Sequence, residues 1–265
     1  MDSFVDERDY KLLEADKYTF FVLRRILGTE CEFIASDHEK LIICHSKTPY
    51  PVWVWTSNDA DETELERAYQ ALKKNSFIDA EHSFNLKYSL ADYITKRAAD
   101  EGKEIAITIN MLAYDCLNPI EPEPVEGNIH KCTYDDYETL IEFMDGFHVD
   151  TGVDIQSREA YEEHAKRCIE EGRTFFWQDA SGKLVACCKY NPTEDMASIN
   201  LVYTLPKERR KHYAENLVYQ VTKLAVSEGL SPMVYADADY PASNECYKKI
   251  GYVLRGSLCT IGQVV

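Results

Sequence analysis

The sequence predicts an α/β protein, α+β in its arrangement, built from two domains. Three observations carry this reading. Apolar stretches of period two alternate with stretches of period 3.6 along the whole chain. A proline-bearing segment at 117–127, Leu-Asn-Pro-Ile-Glu-Pro-Glu-Pro-Val-Glu-Gly, separates two such series. The length, 265 residues, exceeds one average domain and suffices to bury a sizeable core. The expected division is a domain over 1–116, a linker over 117–127 and a domain over 128–265.

In the first domain a helix is expected over 8–27, with Leu12, Leu13, Phe20, Phe21, Leu23 and Ile26 apolar and Gly28 as its stop. Strands follow at 31–35, 40–45 and 52–56, separated by Ser36-Asp37-His38 and by the breaker Pro49-Tyr50-Pro51. Residues 61–75 and 86–100 carry helical patterns, and 104–114 is a β-branched strand. In the second domain a strand at 128–133 leads into a helix over 134–149. Ser157 caps a helix over 158–171 that ends at Gly172. Strands 173–178 and 183–190 meet in a hairpin turn at 179–182.

The segment 198–204 then alternates, with Ile199, Leu201 and Tyr203 on one face and Asn200, Val202 and Thr204 on the other. Leu205 and Pro206 stop it. A basic run, Lys207-Glu208-Arg209-Arg210-Lys211-His212, precedes a helical pattern at Ala214, Leu217, Val218, Val221 and Ala225, which Gly229 ends. A strand at 232–238, a short helix from 241 and a strand from 252 to 261 complete the chain.

The net charge of -17 argues against general nucleic-acid binding, whose affinity comes from clustered Lys and Arg. It leaves cationic substrates open, although acidic surfaces serve solubility whatever the function. Nine cysteines, an odd number without a Cys-x-x-Cys pair, read as reduced and mostly buried thiols. The N-terminus lacks the pattern of a signal peptide, and no apolar run is long enough to span a bilayer. A cytoplasmic protein with no membrane and no nucleic-acid partner is the expectation.

A strand that turns through a cationic loop into a helix leaves backbone N–H groups unpaired beside positive charge, which makes an anion site. Here the pattern is Val202-Tyr203-Thr204-x-Pro206-x-x-Arg209-x-x-x-x-Ala214, and it resembles the acyl-CoA-binding motif of the Gcn5-related N-acetyltransferase (GNAT) superfamily. Downstream, Pro241-Ala-Ser-Asn244-Glu-Cys-Tyr247-Lys-Lys-Ile-Gly251-Tyr252 is similar to that family's second signature, P-x-S-N-x-x-Y-x-x-x-G-F/Y. The resemblance runs from about Gly127 onward. It implies a GNAT fold, a mixed and mostly antiparallel twisted sheet flanked by helices. The first half resembles a reduced, degenerate copy of the same order without a phosphate-loop signature after Val52-Trp-Val-Trp55, which suggests a structural or substrate-shaping domain.

The resemblance implies an N-acetyltransferase that moves an acetyl group from acetyl-CoA, as co-substrate, to a primary amine of a small molecule or to an exposed amino group. Attack is direct, in a ternary complex, with no metal. The CoA diphosphate is expected on Arg209, Arg210, Lys211, His212, Tyr213 and Ala214. The strand edge at Val202, Tyr203 and Thr204 would pair with the pantetheine arm and polarise the thioester carbonyl through a backbone N–H. Asn244 would bind the arm, and Tyr247 would protonate the thiolate as general acid. Asp237 is the candidate general base, with Asp239 beside it, though acids at loop starts are equally often turn formers. Glu194 and Asp195 belong mainly to that second class.

Family members usually carry glycine where this chain has Arg210 and His212. The expectation is that both enter the first helical turn with φ below zero, their charge assisting. Plainer readings stand beside these. The run 207–212 is also what a solvated patch looks like, Tyr247 is also an ordinary core tyrosine, and the alternative function is a non-catalytic GNAT-fold module with weak or no CoA binding. His45, His148 and His164 have no metal-type partner at i+3 or i+4 and read as ordinary histidines. Acceptor specificity is expected from the first half, the loop at 149–156 and the C-terminal strands. The acceptor itself and a homo-oligomeric state stay open.

Overall fold

The computed structural model describes residues 1–79, 81–152 and 155–264. Its first helix is shorter than the apolar pattern suggests. Asp6 and Asp9 form a reciprocal capping box at the start of α1 (Glu7–Leu13), after which the chain makes a 3-10 turn at Glu14–Asp16 and resumes as α2 (Phe21–Leu27). Tertiary partners cause the break. The Asp16 carboxylate accepts hydrogen bonds from Lys87 Nζ at 2.6 Å and Trp55 Nε1 at 2.8 Å, and Phe20 is fully buried.

Next come β1 (Phe33–Ser36), β2 (Leu41–His45) and β3 (Val52–Thr56), then α3 (Glu62–Lys74), β4 (Phe84–Leu86), α4 (Tyr88–Asp100) and β5 (Ile105–Asp115). The three residues of β4 carry too little pattern to be read as a strand, and the expected helix over 86–100 begins only at Tyr88. Beyond them lie β6 (Asn128–Lys131), α5 (Tyr137–Thr151), α6 (Arg158–Glu171), β7 (Thr174–Gln178), β8 (Leu184–Thr193), β9 (Met196–Thr204), α7 (Tyr213–Ser227), β10 (Ser231–Asp237), α8 (Pro241–Lys249) and β11 (Val253–Gln263). Among the described residues no helix is long and apolar enough to cross a membrane.

The chain forms two units, each discontinuous in sequence. The first comprises Met1–Ala113, Tyr235–Tyr240 and Leu254–Val265; the second comprises Tyr114–Val234 and Pro241–Val253. In the first unit β1, β2 and β3 pair antiparallel, β4 lies parallel to β3, and β11 runs antiparallel to β4 with Cys259 opposite Leu86. Both sheet faces are covered, which is why β2 and β3 are buried at every position. Ile43 and Val54 pack in one cluster with Leu72, Leu90 and Ile94 of α3 and α4. Ile42 and Trp53 pack in the other with Leu13 and Leu23 of α1 and α2.

In the second unit β6, β7, β8 and β9 form an antiparallel series and β10 joins β9 in parallel. Helices α5 and α6 cover one face, where Leu140, Phe143, Met144 and Cys168 meet Phe176, Leu201 and Tyr203. Helix α7 packs on β8 and β9, with Leu217, Val218 and Val221 fully buried. Ser157 caps α6 by accepting from the Ala160 N–H, and Gly172 ends it at φ 66°, as the sequence indicates. The segment 117–127 is tied down by hydrogen bonds. Ile120 N–H donates to Ile250 O at 2.7 Å, and Trp177 Nε1 donates to Glu126 O at 3.2 Å. The fold is therefore mixed α/β, with mostly antiparallel sheet flanked by helices.

Candidate functional site

The site is organised by an irregular strand. Between the pairs Cys187↔Tyr203 and Lys189↔Asn200, β9 holds one more residue than β8, and Leu201 takes φ +51° to accommodate it. This is a β-bulge. On the other side the parallel ladder runs Ser231↔Met196, Pro232↔Ala197, Met233↔Ser198 and goes no further. Past that point β9 is held by β8, and its far edge at 199–204 has no ladder partner among the described residues.

Tyr203 points inward from this strand. Its ring lies 5.7 Å from Phe143 in a T-shaped contact, and a Cβ built on Gly146 of α5 would stand 2.6 Å from the Tyr203 hydroxyl oxygen. Glycine in mid-helix is unfavourable by about 1 kcal/mol relative to alanine. Here the close approach of Tyr203 requires it. Val202 and Thr204, facing the other way, are half-buried.

The turn after β9 is held by carboxylates. Arg209 stacks over the Tyr203 ring at 5.7 Å, donates from Nε to Thr204 O at 3.1 Å and pairs with Asp150. Glu208 accepts from both Lys183 at 2.8 Å and Lys211 at 2.7 Å. These two lysines hold its carboxyl below the usual range. Glu215 takes Lys249 at 3.0 Å, and His212 Nδ1 lies 3.0 Å from it. Among the described residues Arg210 has no carboxylate partner, and it is exposed.

The backbone of the turn departs from the expectation stated for it. Arg210 has φ +63° and His212 φ +60°, both left-handed, while Lys211 between them is not. Instead of entering the helix with φ below zero, the two residues adopt the left-handed conformation that glycine takes most readily. A side chain in that region costs about 1–2 kcal/mol, so two in three residues must be sustained by their surroundings. Where a right-handed residue stands beside a left-handed one, successive N–H groups turn toward one concavity, an arrangement that attracts anions. His212 is also the N-cap of α7 and makes no side-chain capping bond, so the open N–H groups of the first turn are not closed off by it. Tyr213 and Ala214, the first residues of α7, are half-buried. Asn216 secures the turn from behind, donating from Nδ2 to His212 O at 3.1 Å and to Glu123 O at 3.0 Å.

Helix α8 contributes the second group. Asn244 is 5% exposed, and its side-chain oxygen accepts from the Tyr114 hydroxyl at 3.0 Å. Tyr247, also 5% exposed, lies between Tyr114 at 6.4 Å and Tyr252 at 5.5 Å between ring centres. Burial above all, then the neighbouring Cys246 and Cys188, pushes its hydroxyl well above the ordinary tyrosine value. It therefore keeps its proton at neutral pH. Among the described residues that hydroxyl makes no hydrogen bond.

Asp237 ends β10, is exposed and accepts at 2.9 Å from the N–H of Asp239. Asp239 in turn accepts from Asn110 Nδ2 at 2.8 Å. Asp237 and Asp239 belong to the first unit, whereas Val202 to Ala214, Asn244 and Tyr247 belong to the second. Of the acceptor loop at 149–156, residues 153 and 154 lie outside the described residues. Sequence reasoning missed Tyr114, Gly146, Asp150, Glu208 and Glu215. Glu208 and Glu215 were open to it, each three residues from a basic partner. Tyr114, 130 residues from Asn244, left no local signal. Elsewhere, Asp6, Asp9 and His38 come within 4.8 Å of one another, but Asp9 already accepts from Ser36 at 2.5 Å and lies 2.7 Å from His38 Nδ1, a clasp for the first helix.

A model of the acetyltransferase (GNAT) family matches residues 138–252. No curated protein matches the chain. Among solved structures it is similar to a GNAT-family acetyltransferase from Colwellia psychrerythraea, at 12% identity and TM-score 0.61, covering 100% of this chain and 99% of that one. It is similar to a GCN5-related N-acetyltransferase from Sphaerobacter thermophilus at 13% identity and TM-score 0.68, covering 96% and 90%. A GCN5-related N-acetyltransferase from Kribbella flavida gives 13% identity and TM-score 0.64, covering 95% of each. At these identities the likeness is one of fold, and it extends along nearly the whole chain. The bulged strand, the left-handed turn and α8 all fall inside the matched residues, and the C-terminal half of this chain carries a domain of the GNAT family.

Proposed function

We propose that this protein is an N-acetyltransferase that moves an acetyl group from acetyl-CoA to a primary amine, on a small molecule or an exposed amino group, by direct attack in a ternary complex. The observation that supports this most is the turn at Arg210-Lys211-His212, where left-handed backbone compensates for the glycines the family usually carries. Both residues hold positive φ, the region glycine adopts most readily, so the backbone of this turn is of the kind that would present N–H groups to an anion. The donor set suits a diphosphate: backbone N–H groups, the start of α7 and the charge of Arg210, which has no carboxylate partner among the described residues.

When bound, acetyl-CoA supplies an activated thioester carbonyl. The residues of the chain do the rest. Arg210, Lys211, His212, Tyr213 and Ala214 would hold the diphosphate, with Arg209 bracing the turn through Thr204 and Asp150. The bulge leaves the edge of β9 at Val202, Tyr203 and Thr204 for backbone pairing, and an N–H there would polarise the carbonyl. Asn244, oriented by Tyr114, would bind the arm. Tyr247 holds a proton at neutral pH and would give it to the departing thiolate. Asp237 would take the proton from the amine, directly or through water. We assign residues 1–116 a substrate-shaping role, and the nine free cysteines fit a reducing, cytoplasmic setting.

Calorimetric titration with acetyl-CoA tests the proposal. Saturable binding that Arg210→Gln weakens supports it. Neither heat nor a melting shift at millimolar acetyl-CoA would leave a scaffold without the co-substrate and overturn it.

A further inference from the structure

A second polar site lies in the GNAT domain at the opposite end of β8. Helix α6 places His164, Arg167 and Glu171 along one side, at the spacing of successive turns. Strand β8 places Lys189 and Asn191 on one face, and Arg173 immediately precedes β7. Together they line a cavity of about 490 Å³.

Lys189 is the unusual member. It is 8% exposed, and its Nζ donates to His164 Nε2 at 3.1 Å and to Cys168 Sγ at 3.3 Å. Neither partner is a carboxylate, and among the described residues none pairs with it. Buried ammonium groups are normally paired with an opposite charge. Burial first, then Lys189 and Arg167, lowers His164 to about 4, so the imidazole is neutral and accepts from the lysine. Arg167 is exposed and has no ion pair among the described residues, while Arg173 reaches Glu228 at 3.4 Å and keeps a buried Nε–H without an acceptor. Three cations thus line the cavity with Glu171, and Glu228 pairs with Arg173 at its edge, in a chain of net charge -17. That local reversal of sign needs a cause.

We propose that this cavity binds a phosphorylated small molecule, its phosphoryl group received by Lys189, Arg167 and Arg173. The guanidinium forks suit phosphate oxygens and the lysine supplies a point charge. The volume falls in the range of small-molecule sites and exceeds what a bare anion fills. The site is distinct from the turn after β9. Thr204 pairs with Ala186 and Ser198 with Asn191, and those two positions of β8 are about 16 Å apart along the strand.

The probes are inorganic phosphate and glycerol 3-phosphate, titrated at constant ionic strength into the full chain while the His164 ring resonances are followed by NMR. Saturable shifts of His164 are expected, with affinity lowered about tenfold or more in Arg167→Gln and unchanged in Arg210→Gln. Lys189→Met tests the buried charge if it folds; Arg167→Gln, at an exposed position, keeps the test sound if it does not. Tighter binding of the ester supports an organic phosphate. No saturable shift, an equal response to added chloride, or loss of binding only in Arg210→Gln would overturn the proposal, the last by assigning the phosphate to the turn after β9.

Discussion

Tyr247→Phe separates chemistry from folding. The substitution removes one oxygen from a ring that is 5% exposed, and among the described residues that oxygen makes no hydrogen bond. No partner is orphaned and no cavity larger than the oxygen is left, so unfolding free energy should stay within about 1 kcal/mol of wild type. A general acid contributes roughly 10²–10⁴-fold to rate. At ~1.4 kcal/mol per factor of ten, that is about 3–5 kcal/mol of transition-state stabilisation, several times the change expected in stability. The assay is thiol release from acetyl-CoA with an amine found by screening, read as kcat and KM, beside urea unfolding of the same preparation. We expect kcat to fall at least a hundredfold with KM for acetyl-CoA little changed. Turnover equal to wild type from pH 6 to 9 would remove Tyr247 from the general-acid role, and loss of folding would show that its hydroxyl has a structural task.

Three further outcomes follow from the geometry. Gly146→Ala should destabilise by about 1–2 kcal/mol in thermal or urea unfolding, because the 2.6 Å approach to Tyr203 outweighs the intrinsic helical gain, and Tyr203→Phe should relieve part of the loss. A stabilised Gly146→Ala would contradict this. Arg210→Gly and His212→Gly should be neutral or stabilising within about 1 kcal/mol, since relief of the left-handed side chain offsets the added freedom of the unfolded chain. Arg210→Gly alone should weaken acetyl-CoA binding, more so at low salt; destabilisation beyond 1 kcal/mol would speak against the left-handed backbone. Stability should also fall steeply in alkali. Burial raises the thiols of Cys132, Cys187, Cys188 and Cys246 and the hydroxyls of Tyr247 and Tyr252 above their ordinary values of 9.0 and 10.0. The folded chain keeps these protons where the unfolded chain loses them, so the stabilisation is full below pH 9 and is lost as pH rises, by about 1.4 kcal/mol per unit for each group. A melting temperature flat from pH 8 to 11 would refute it.

The second half of the fold was legible because its signals are local. Ser157 and Gly172 bound α6, and the alternation of Ile199, Leu201 and Tyr203 against Val202 and Thr204 matches their burial. The first half was less so. The break in the expected helix over 8–27 depends on Lys87 and Trp55 reaching Asp16, partners that no window of sequence contains. Strand β4 has three residues, fewer than any periodicity can register. In the candidate site the residue types were readable and the backbone was not. Nothing in the letters Arg or Leu announces positive φ at 210 and 201, since each disfavours it, and the histidine at 212 signals it only weakly. Leu201 sits at the bulge, and Arg210 and His212 sit in a turn tied by ion pairs from Glu208 to Lys183 and Lys211 and from Glu215 to Lys249, contacts that arise only in the folded chain.

That turn has a consequence for how such loops are looked for. A search pattern built on glycine scores a missing methylene, whereas the phosphate responds to where the amides point. Chains that place charged residues at positive φ in such a turn, as this one does, would slip through a glycine filter, and a filter on backbone handedness would retain them.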